Sequence, residues 1–420
     1  MTDVLSRAHA EELDAGDPLA LFREEFAITD AGVCYLDGNS LGRLPRATVA
    51  QINSFLDEWA ADGVLGWSRW IDSAQRCGDL LAATALGAAP GQTLVCDTTS
   101  VNFYQLCSAA VAARPGRSTI ITDAANFPTD RYILEGIAQS RGMRLVLLDN
   151  AADGEVVSPE MLAAHLNDDV ALVSLQVVQY RAGGRQDVQT LTHLARDHGA
   201  LVVWDAAHAV GSVELDLDAN GVDLAVGCTY KYLNSGPGAP AWMYVNKRMQ
   251  DELQVPIQGW FAQADQFAMG PHFDRVQGIR GFQVASPSLI GITCVTSSLQ
   301  MIARAGMGAI AQKASQGTAY MIALYDGLLA ELGIVLQTPR EPHHRGGHIA
   351  LGHPDALAIS TALREKHQVI TDFRAPDGIR VAVSPLANSY TEVWEGFQRI
   401  RDCLLNRTYA DMSFEPGRVT

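Results

Sequence analysis

Lysine is scarce in this chain: there are four in 420 residues, at positions 231, 247, 313 and 366, so none precedes Lys231. Positive charge as a whole is in deficit, with 31 Lys and Arg against 47 Asp and Glu and a net charge of −16. That balance excludes nucleic acid and anionic membrane surfaces as partners, since both need concentrated positive charge. Cysteine is sparse too. The seven are scattered, odd in number and without Cys-x-x-Cys spacing, which rules out a disulfide frame and a zinc cluster and predicts reduced thiols. No uninterrupted apolar run approaches the roughly 18 residues of a membrane-spanning helix. The opening residues, Met1-Thr-Asp-Val-Leu-Ser-Arg-Ala-His9, lack the charged-then-apolar layout of a secretion signal, so a cytoplasmic location is expected. Glycine-rich phosphate loops of the G-x-G-x-x-G or P-loop type are missing. His343, His344, His348 and His353 follow no common zinc spacing, and no metal is assigned.

What remains is an ordinary globular composition, 48% apolar and 19% charged, in a chain long enough for one large core and a smaller lobe. Between about residues 90 and 250, short apolar runs alternate with amphipathic stretches. Candidate buried strands are 118–123, 144–149, 170–175, 201–204, 224–226 and 241–245. Between two of them, 188–198 places Leu191, Leu194 and Ala195 on one helical face, with Gly199 as a stop. This alternation predicts an α/β fold: a mostly parallel central sheet sandwiched by helices. After about residue 295 come a long helix over 289–332, a strand at 348–351, a helix over 355–367, a strand at 379–383 and a closing helix over 390–405. They predict a smaller α+β domain. The expected division is an N-terminal segment 1–60 joining the small domain, a large domain 61–295, the small domain 296–407 and an exposed tail 408–420.

Ligands of parallel sheets gather beyond the carboxyl ends of the strands. Leu201-Val-Val-Trp204 ends on Asp205-Ala-Ala-His208, and the next apolar run leads into Cys228-Thr-Tyr-Lys231. An Asp at the end of one buried strand and a Lys at the end of the next are the minimum equipment for pyridoxal phosphate. The amine forms the Schiff base, and the carboxylate keeps the ring nitrogen protonated so that the ring acts as an electron sink. Alone, Asp205 and His208 read as a helix cap and a satisfied core histidine; the pairing with Lys231 is what lifts them out of that reading. Tyr230 reads either as a core aromatic or as a group that contacts phosphate or moves a proton. Thr98-Thr-Ser-Val-Asn102 opens a helix and reads equally as a plain cap or as a phosphate seat. Asn126-Phe-Pro-Thr-Asp130 is by itself an ordinary turn and cap; in a cofactor site its aromatic would stack on the ring.

These segments resemble the kynureninases, of the aspartate-aminotransferase-like fold type I of pyridoxal-phosphate enzymes. The likeness runs nearly end to end. It is carried by Tyr35-Leu-Asp-Gly-Asn-Ser-Leu-Gly42, Thr99-Ser-Val-Asn102, Asn126-Phe-Pro-Thr-Asp130, Asp205-Ala-Ala-His-Ala-Val-Gly211, Tyr230-Lys-Tyr232, Gly259-Trp-Phe261 and Ile379-Arg-Val-Ala382. The resemblance implies that Lys231 carries the cofactor and acts in catalysis with Tyr230. It implies that Asp205 pairs with the ring nitrogen, that Phe127 covers the ring, and that Asp130 and His208 lie close by. Thr99, Ser100 and Tyr230 would hold the phosphate, together with Trp260 and Ser286 supplied across a homodimer interface. Arg380 would grip the substrate α-carboxylate with its two-pronged guanidinium. The implied reaction is hydrolysis of the Cβ–Cγ bond of L-kynurenine or 3-hydroxy-L-kynurenine to anthranilate or 3-hydroxyanthranilate and L-alanine.

Two departures touch the aryl end of the site. Ala262-Gln263 stands where the family commonly has Gly-His, and Pro287-Ser288 where it has Pro-Pro. A modified kynurenine of secondary metabolism is therefore a variant of the same expectation, with the aryl pocket sought among Trp67, Trp70 and Phe261. Other reactions of the fold are the rivals. A desulfurase needs a mobile exposed cysteine, yet the late Cys403 falls inside an expected helix. An aminotransferase shares the proton transfer at the α-carbon and stays open.

Overall fold

The computed structural model describes residues 3–151 and 153–412. Its large sheet has seven strands: β1 (Thr93–Val95), β2 (Thr119–Asp123), β3 (Arg144–Leu148), β4 (Val170–Gln176), β5 (Leu201–Asp205), β6 (Leu224–Gly227) and β7 (Trp242–Val245). Their spatial order is β1-β7-β6-β5-β4-β2-β3. Only β7 runs against the rest. Strands β2, β4, β5, β6 and β7 are buried along their whole length, which is why they read as continuous apolar runs instead of alternating ones. The helix Thr99–Ala112 crosses β4 to β7, and its buried side chains from Asn102 to Val111 help fill the larger core. All six expected strands are present, within a residue or two of the expected bounds.

The smaller sheet is antiparallel, in the order β10-β11-β9-β8, from β8 (Val335–Leu336), β9 (His348–Gly352), β10 (Asp372–Arg374) and β11 (Gly378–Ala382). Helices Met307–Leu328, Ala356–Lys366 and Tyr390–Leu405 close a second apolar cluster over it. The chain start joins this lobe: Cys34–Tyr35 pairs in parallel with Val369–Ile370, and helix Arg7–Ala15 packs on Tyr390–Leu405.

Three expectations are corrected. The helix expected over 289–332 is two, Leu289–Ala305 and Met307–Leu328, separated by Gly306 at φ +79° and ψ 133°. Apolar periodicity continues on both sides, so only the glycine marks the break. Helix Arg46–Asp62 packs on Leu289–Ala305, with Thr48 Oγ1 donating to Ser297 Oγ at 3.0 Å, and Leu299, Met301 and Ile302 lie in the larger core. These two helices therefore stand with the large lobe, although the division at 60 and 295 gives most of each to the small one. The expected tail does not start at Thr408: Tyr409 is buried against the second cluster and the Thr408 Oγ1 meets His367 Nε2 at 2.7 Å. The remainder of that tail, 413–420, lies outside the described residues.

Gly306 has open space where a Cβ would stand, so any penalty for a side chain there comes from the backbone alone. Gly306→Ala is expected to lower the unfolding free energy by about 1–3 kcal/mol in urea titration. An unchanged midpoint would show that the backbone relaxes without cost.

Candidate active site

Strands β5 and β6 are parallel neighbours with Asp205 opposite Val226, and the Ala206 N–H donates to the Val226 carbonyl at 2.8 Å. The segments leaving both strands are thereby held side by side. Lys231 Nζ comes within 3.0 Å of His208 Nε2 and 3.2 Å of Nδ1. The buried Asp205 carboxylate accepts from the Ala207 N–H at 2.8 Å and from Gln176 Nε2, at the end of β4, at 3.3 Å. The Tyr35–Gly42 segment closes against this loop. Gly42 N–H donates to the Tyr230 carbonyl at 2.8 Å, and a Cβ on Gly42 would stand 2.4 Å from the Lys231 carbonyl oxygen, so only glycine fits.

Asp130 lies in the first turn of helix Pro128–Arg141 and is buried beside Asp205, within reach of a carboxyl–carboxyl hydrogen bond. Phe127 caps that helix, is 36% exposed, and meets the Tyr180 ring edge-on at 5.2 Å. Thr99 and Ser100 stand at the open N-terminus of helix Thr99–Ala112, where Thr98 supplies the capping hydroxyl to the Val101 N–H. Asp123, at the end of β2, is engaged elsewhere: it accepts from Asn150 and Gln179.

From the smaller sheet comes Arg380, fully buried on β11. It pairs with Asp372 and donates to the Tyr180 carbonyl at 2.7 Å, Ser40 Oγ at 2.9 Å and His208 Nε2 at 3.1 Å. His348, at the start of β9, shares the face of Arg380, because Ala350 is the cross-strand partner of Arg380 and side chains alternate. Its ring is buried and lies 5.8 Å from that of His208.

Electrostatics follow from this crowding. Burial pushes Asp205 up, opposed by the Lys231 charge. It pushes Asp130 up much further, because the Asp205 charge adds to burial. Burial lowers Lys231 below the usual lysine range. His208 is forced well down by burial and by the Lys231 and Arg380 charges, and His348 to about 3 by burial and Arg380. Both imidazoles are therefore neutral. The Cys228 side chain and burial push the Tyr230 phenol up, so it keeps its proton. Burial and the Asp372 charge raise Asp37 to about 7.

Of the residues singled out in the sequence, Lys231, His208 and Arg380 join in one hydrogen-bonded line. Asp205 and Asp130 stand beside it, Asp130 feeling the Asp205 charge and Asp205 that of Lys231. Trp260 and Ser286 stand apart. Both are exposed, Trp260 donates to the Gln266 carbonyl at 2.9 Å, and among the described residues no hydrogen bond or ring contact ties either to the line. Trp67, Trp70 and Phe261 do cluster, with rings 5.9 and 6.2 Å apart. Gln263 is occupied in its own loop, accepting from the Asp274 N–H at 2.6 Å. Sequence reading missed Asp372, Ser40 and Tyr180. The signal for Asp372 lay in Asp372-Phe-Arg374 followed by a short turn and Gly378–Ala382, a hairpin whose register sets Asp372 opposite Arg380.

Comparison with known proteins places this geometry. The kynureninase C-terminal domain family matches residues 310–400, and the DegT/DnrJ/EryC1/StrS aminotransferase family matches 93–220. A kynureninase of Pseudomonas fluorescens is 38% identical over 412 residues, covering 96% of each chain. One from Burkholderia pseudomallei is 38% identical over 408 residues, 95% of each. The chain belongs to the kynureninase family. Among solved structures, an apo cysteine desulfurase of Thermococcus onnurineus superimposes with a TM-score of 0.79 at 18% identity, over 92% of this chain and 98% of that one. The C-DES protein with glycine covalently linked to its PLP cofactor gives 0.79 at 18%, over 93% and 99%. They show the fold, pyridoxal-phosphate fold type I.

The residues of this kynureninase-family site suit that cofactor. Among the described residues the buried Asp205 carboxylate accepts hydrogen bonds from neutral donors alone, so it lacks a hydrogen-bonded cation of the kind a protonated ring nitrogen would supply. The N–H groups and hydroxyls of Thr99 and Ser100, in the first turn of helix Thr99–Ala112, suit a phosphate.

Neutral burial of His348 leaves a signature in pH. Its folded value, about 3, lies below its ordinary 6.5, so its contribution is fully present above pH 6.5 and is lost as pH falls toward 3. That loss approaches about 1.4 kcal/mol per pH unit for a single group. His348→Gln is expected to flatten the decline of urea stability between pH 6.5 and 4.5 relative to the parent. Parallel slopes in the two proteins would contradict a neutral buried imidazole.

Proposed function

We propose that the chain is a pyridoxal-phosphate-dependent hydrolase that cleaves the Cβ–Cγ bond of L-kynurenine, 3-hydroxy-L-kynurenine or both, releasing the aminobenzoate and L-alanine. The observation that carries the reading is the line Lys231–His208–Arg380. An amine able to hold the cofactor lies two hydrogen bonds from a guanidinium able to take an amino acid's carboxylate.

Pyridoxal phosphate, when bound, supplies an electron sink for the pair released at the substrate α-carbon. Lys231 Nζ would hold it, with Asp205 toward the ring nitrogen, Phe127 over the ring, and Asp130 and His208 alongside. Thr99, Ser100 and Tyr230 would take the phosphate, together with Trp260 and Ser286 from the partner subunit. Burial depresses the Lys231 pKa, so the freed amine is more readily neutral and able to take a proton from the α-carbon. Tyr230 Oη, held protonated, is suited to pass a proton during water addition to the γ-ketone and is not a standing phenolate. Arg380 would orient the substrate through its α-carboxylate.

A homodimer is part of the proposal. It is supported by two short runs of exposed apolar side chains, Val64 with Leu65 and Phe267 with Met269, of the kind a subunit interface covers. A cytoplasmic setting is supported by seven unpaired cysteines. Desulfuration is disfavoured: six of the seven are buried, and Cys403 lies within helix Tyr390–Leu405.

Incubation with L-kynurenine and 3-hydroxy-L-kynurenine in parallel, following aminobenzoate fluorescence and free alanine, is expected to give both products from at least one ketone. Lys231→Ala should lose the visible cofactor band and at least about 10²–10⁴-fold in turnover. Turnover surviving that substitution, or a cofactor-loaded parent that cleaves neither ketone, would sink the reading.

A further inference from the structure

Arg380 and Asp372 face each other in register across β11 and β10, and both are buried, at 1% and 0% side-chain exposure. Asp372 takes the side-on edge of the guanidinium: Nε donates to Oδ1 at 2.7 Å and Nη2 to Oδ2. The second Nη2 hydrogen goes to Ser40 Oγ at 2.9 Å, and Nη1 donates to the Tyr180 carbonyl at 2.7 Å and to His208 Nε2 at 3.1 Å. Every N–H of Arg380 thus already has an acceptor in the chain itself. A substrate carboxylate can be gripped only by replacing some of them.

The two edges differ in what can leave. Displacing Asp372 would leave a fully buried carboxylate with Arg374 as its one remaining guanidinium partner in place of two, and taking a partner from a buried ion pair is costly. Burial alone would raise Asp372, yet the Arg380 and Arg374 charges outweigh it and hold the carboxyl below the usual range. The end-on edge, Nη1 and Nη2, is held by two neutral side chains, and each has another partner. Ser40 Oγ also donates to Asp372 Oδ2 at 2.8 Å, and His208 Nε2 also lies 3.0 Å from Lys231 Nζ. A carboxylate competes well against neutral acceptors, since charge-assisted hydrogen bonds are about twice as strong.

We infer that Asp372 is a positioning residue that presents the end-on edge of Arg380 to the substrate carboxylate, and that Ser40 and His208 hold this edge until the carboxylate replaces them. The inference rests on Arg380 being the carboxylate grip of the proposed reaction. It has a consequence at the cofactor lysine. Once His208 is released by Arg380, its Nε2 lone pair is left to Lys231 alone, so carboxylate binding and the lysine's surroundings are linked through one ring.

Three variants of the cofactor-loaded enzyme test this by steady-state kinetics with L-kynurenine, each checked for its visible cofactor band and melting temperature. Asp372→Asn is expected to raise KM by about tenfold or more while kcat falls much less, the pattern of lost substrate orientation at the carboxylate. Ser40→Ala is expected to lower KM about twofold, because a competing neutral hydrogen bond is gone. Arg380→Gln is the reference and should raise KM at least as much as Asp372→Asn. If Arg380→Gln raises KM but Asp372→Asn leaves it near the parental value, the positioning role is wrong and the grip stands. A KM that rises in Ser40→Ala makes Ser40 a substrate ligand and overturns its placeholder role, and this decides the matter even where Asp372→Asn does not accumulate folded. An Arg380→Gln enzyme with parental KM removes the grip itself.

Discussion

The parallel pairing of β5 with β6 is the constraint on which everything chemical in this protein rests. Asp205 ends one strand and Lys231 follows the other by four residues, so a carboxylate and an amine are delivered to the same edge of the sheet by backbone hydrogen bonds that neither side chain has to form. A slip of the pairing would turn Asp205 away or carry it out of line with the lysine loop. The close approach of Gly42 to the Lys231 carbonyl fixes the loop from the other side. Precision at the lysine therefore comes from β-sheet geometry and a bare Cα, two things that do not depend on a ligand.

Around that edge, charge is arranged so that opposites meet and histidines stay out of the balance. Lys231, Arg374 and Arg380 are the cations; Asp37, Asp130, Asp205 and Asp372 are the carboxyls. Asp372 is held ionised by two guanidinium groups, whereas Asp37 and Asp130 are pushed toward the neutral acid. His208 and His348 sit among the cations and are neutral for that reason. Such a neutral imidazole offers a lone pair, and His208 offers it to the amine and the guanidinium alike.

The strands, their parallel pattern and the residues at their ends were legible from the sequence because each buried strand is one unbroken apolar run flanked by polar residues. Arg380, Lys231, Asp205 and His208 were legible through local motifs. Asp372 was not, since its importance comes from standing across a hairpin from Arg380, and register is invisible in a linear reading. His348 was noticed only as one of four scattered histidines; what distinguishes it is the face it shares with Arg380. The break at Gly306 hid inside uninterrupted helical periodicity, and the docking of Arg46–Asp62 against Leu289–Ala305 joins parts of the chain that no local pattern relates. Trp260 and Ser286 carry motif signals, yet their surroundings in a single chain give them nothing to act on.

The hydrogen bond from Arg380 to His208 runs between the smaller sheet and the larger one, so part of what joins the two lobes is made of atoms that a bound amino acid would claim. Ligand and architecture then share one seam. A molecule that takes the end-on edge of Arg380 while its amine reaches toward Lys231 substitutes its own span for the internal one, becoming a strut between lobes. By mass action it stabilises the folded chain by an amount that grows with the logarithm of its free concentration over its Kd.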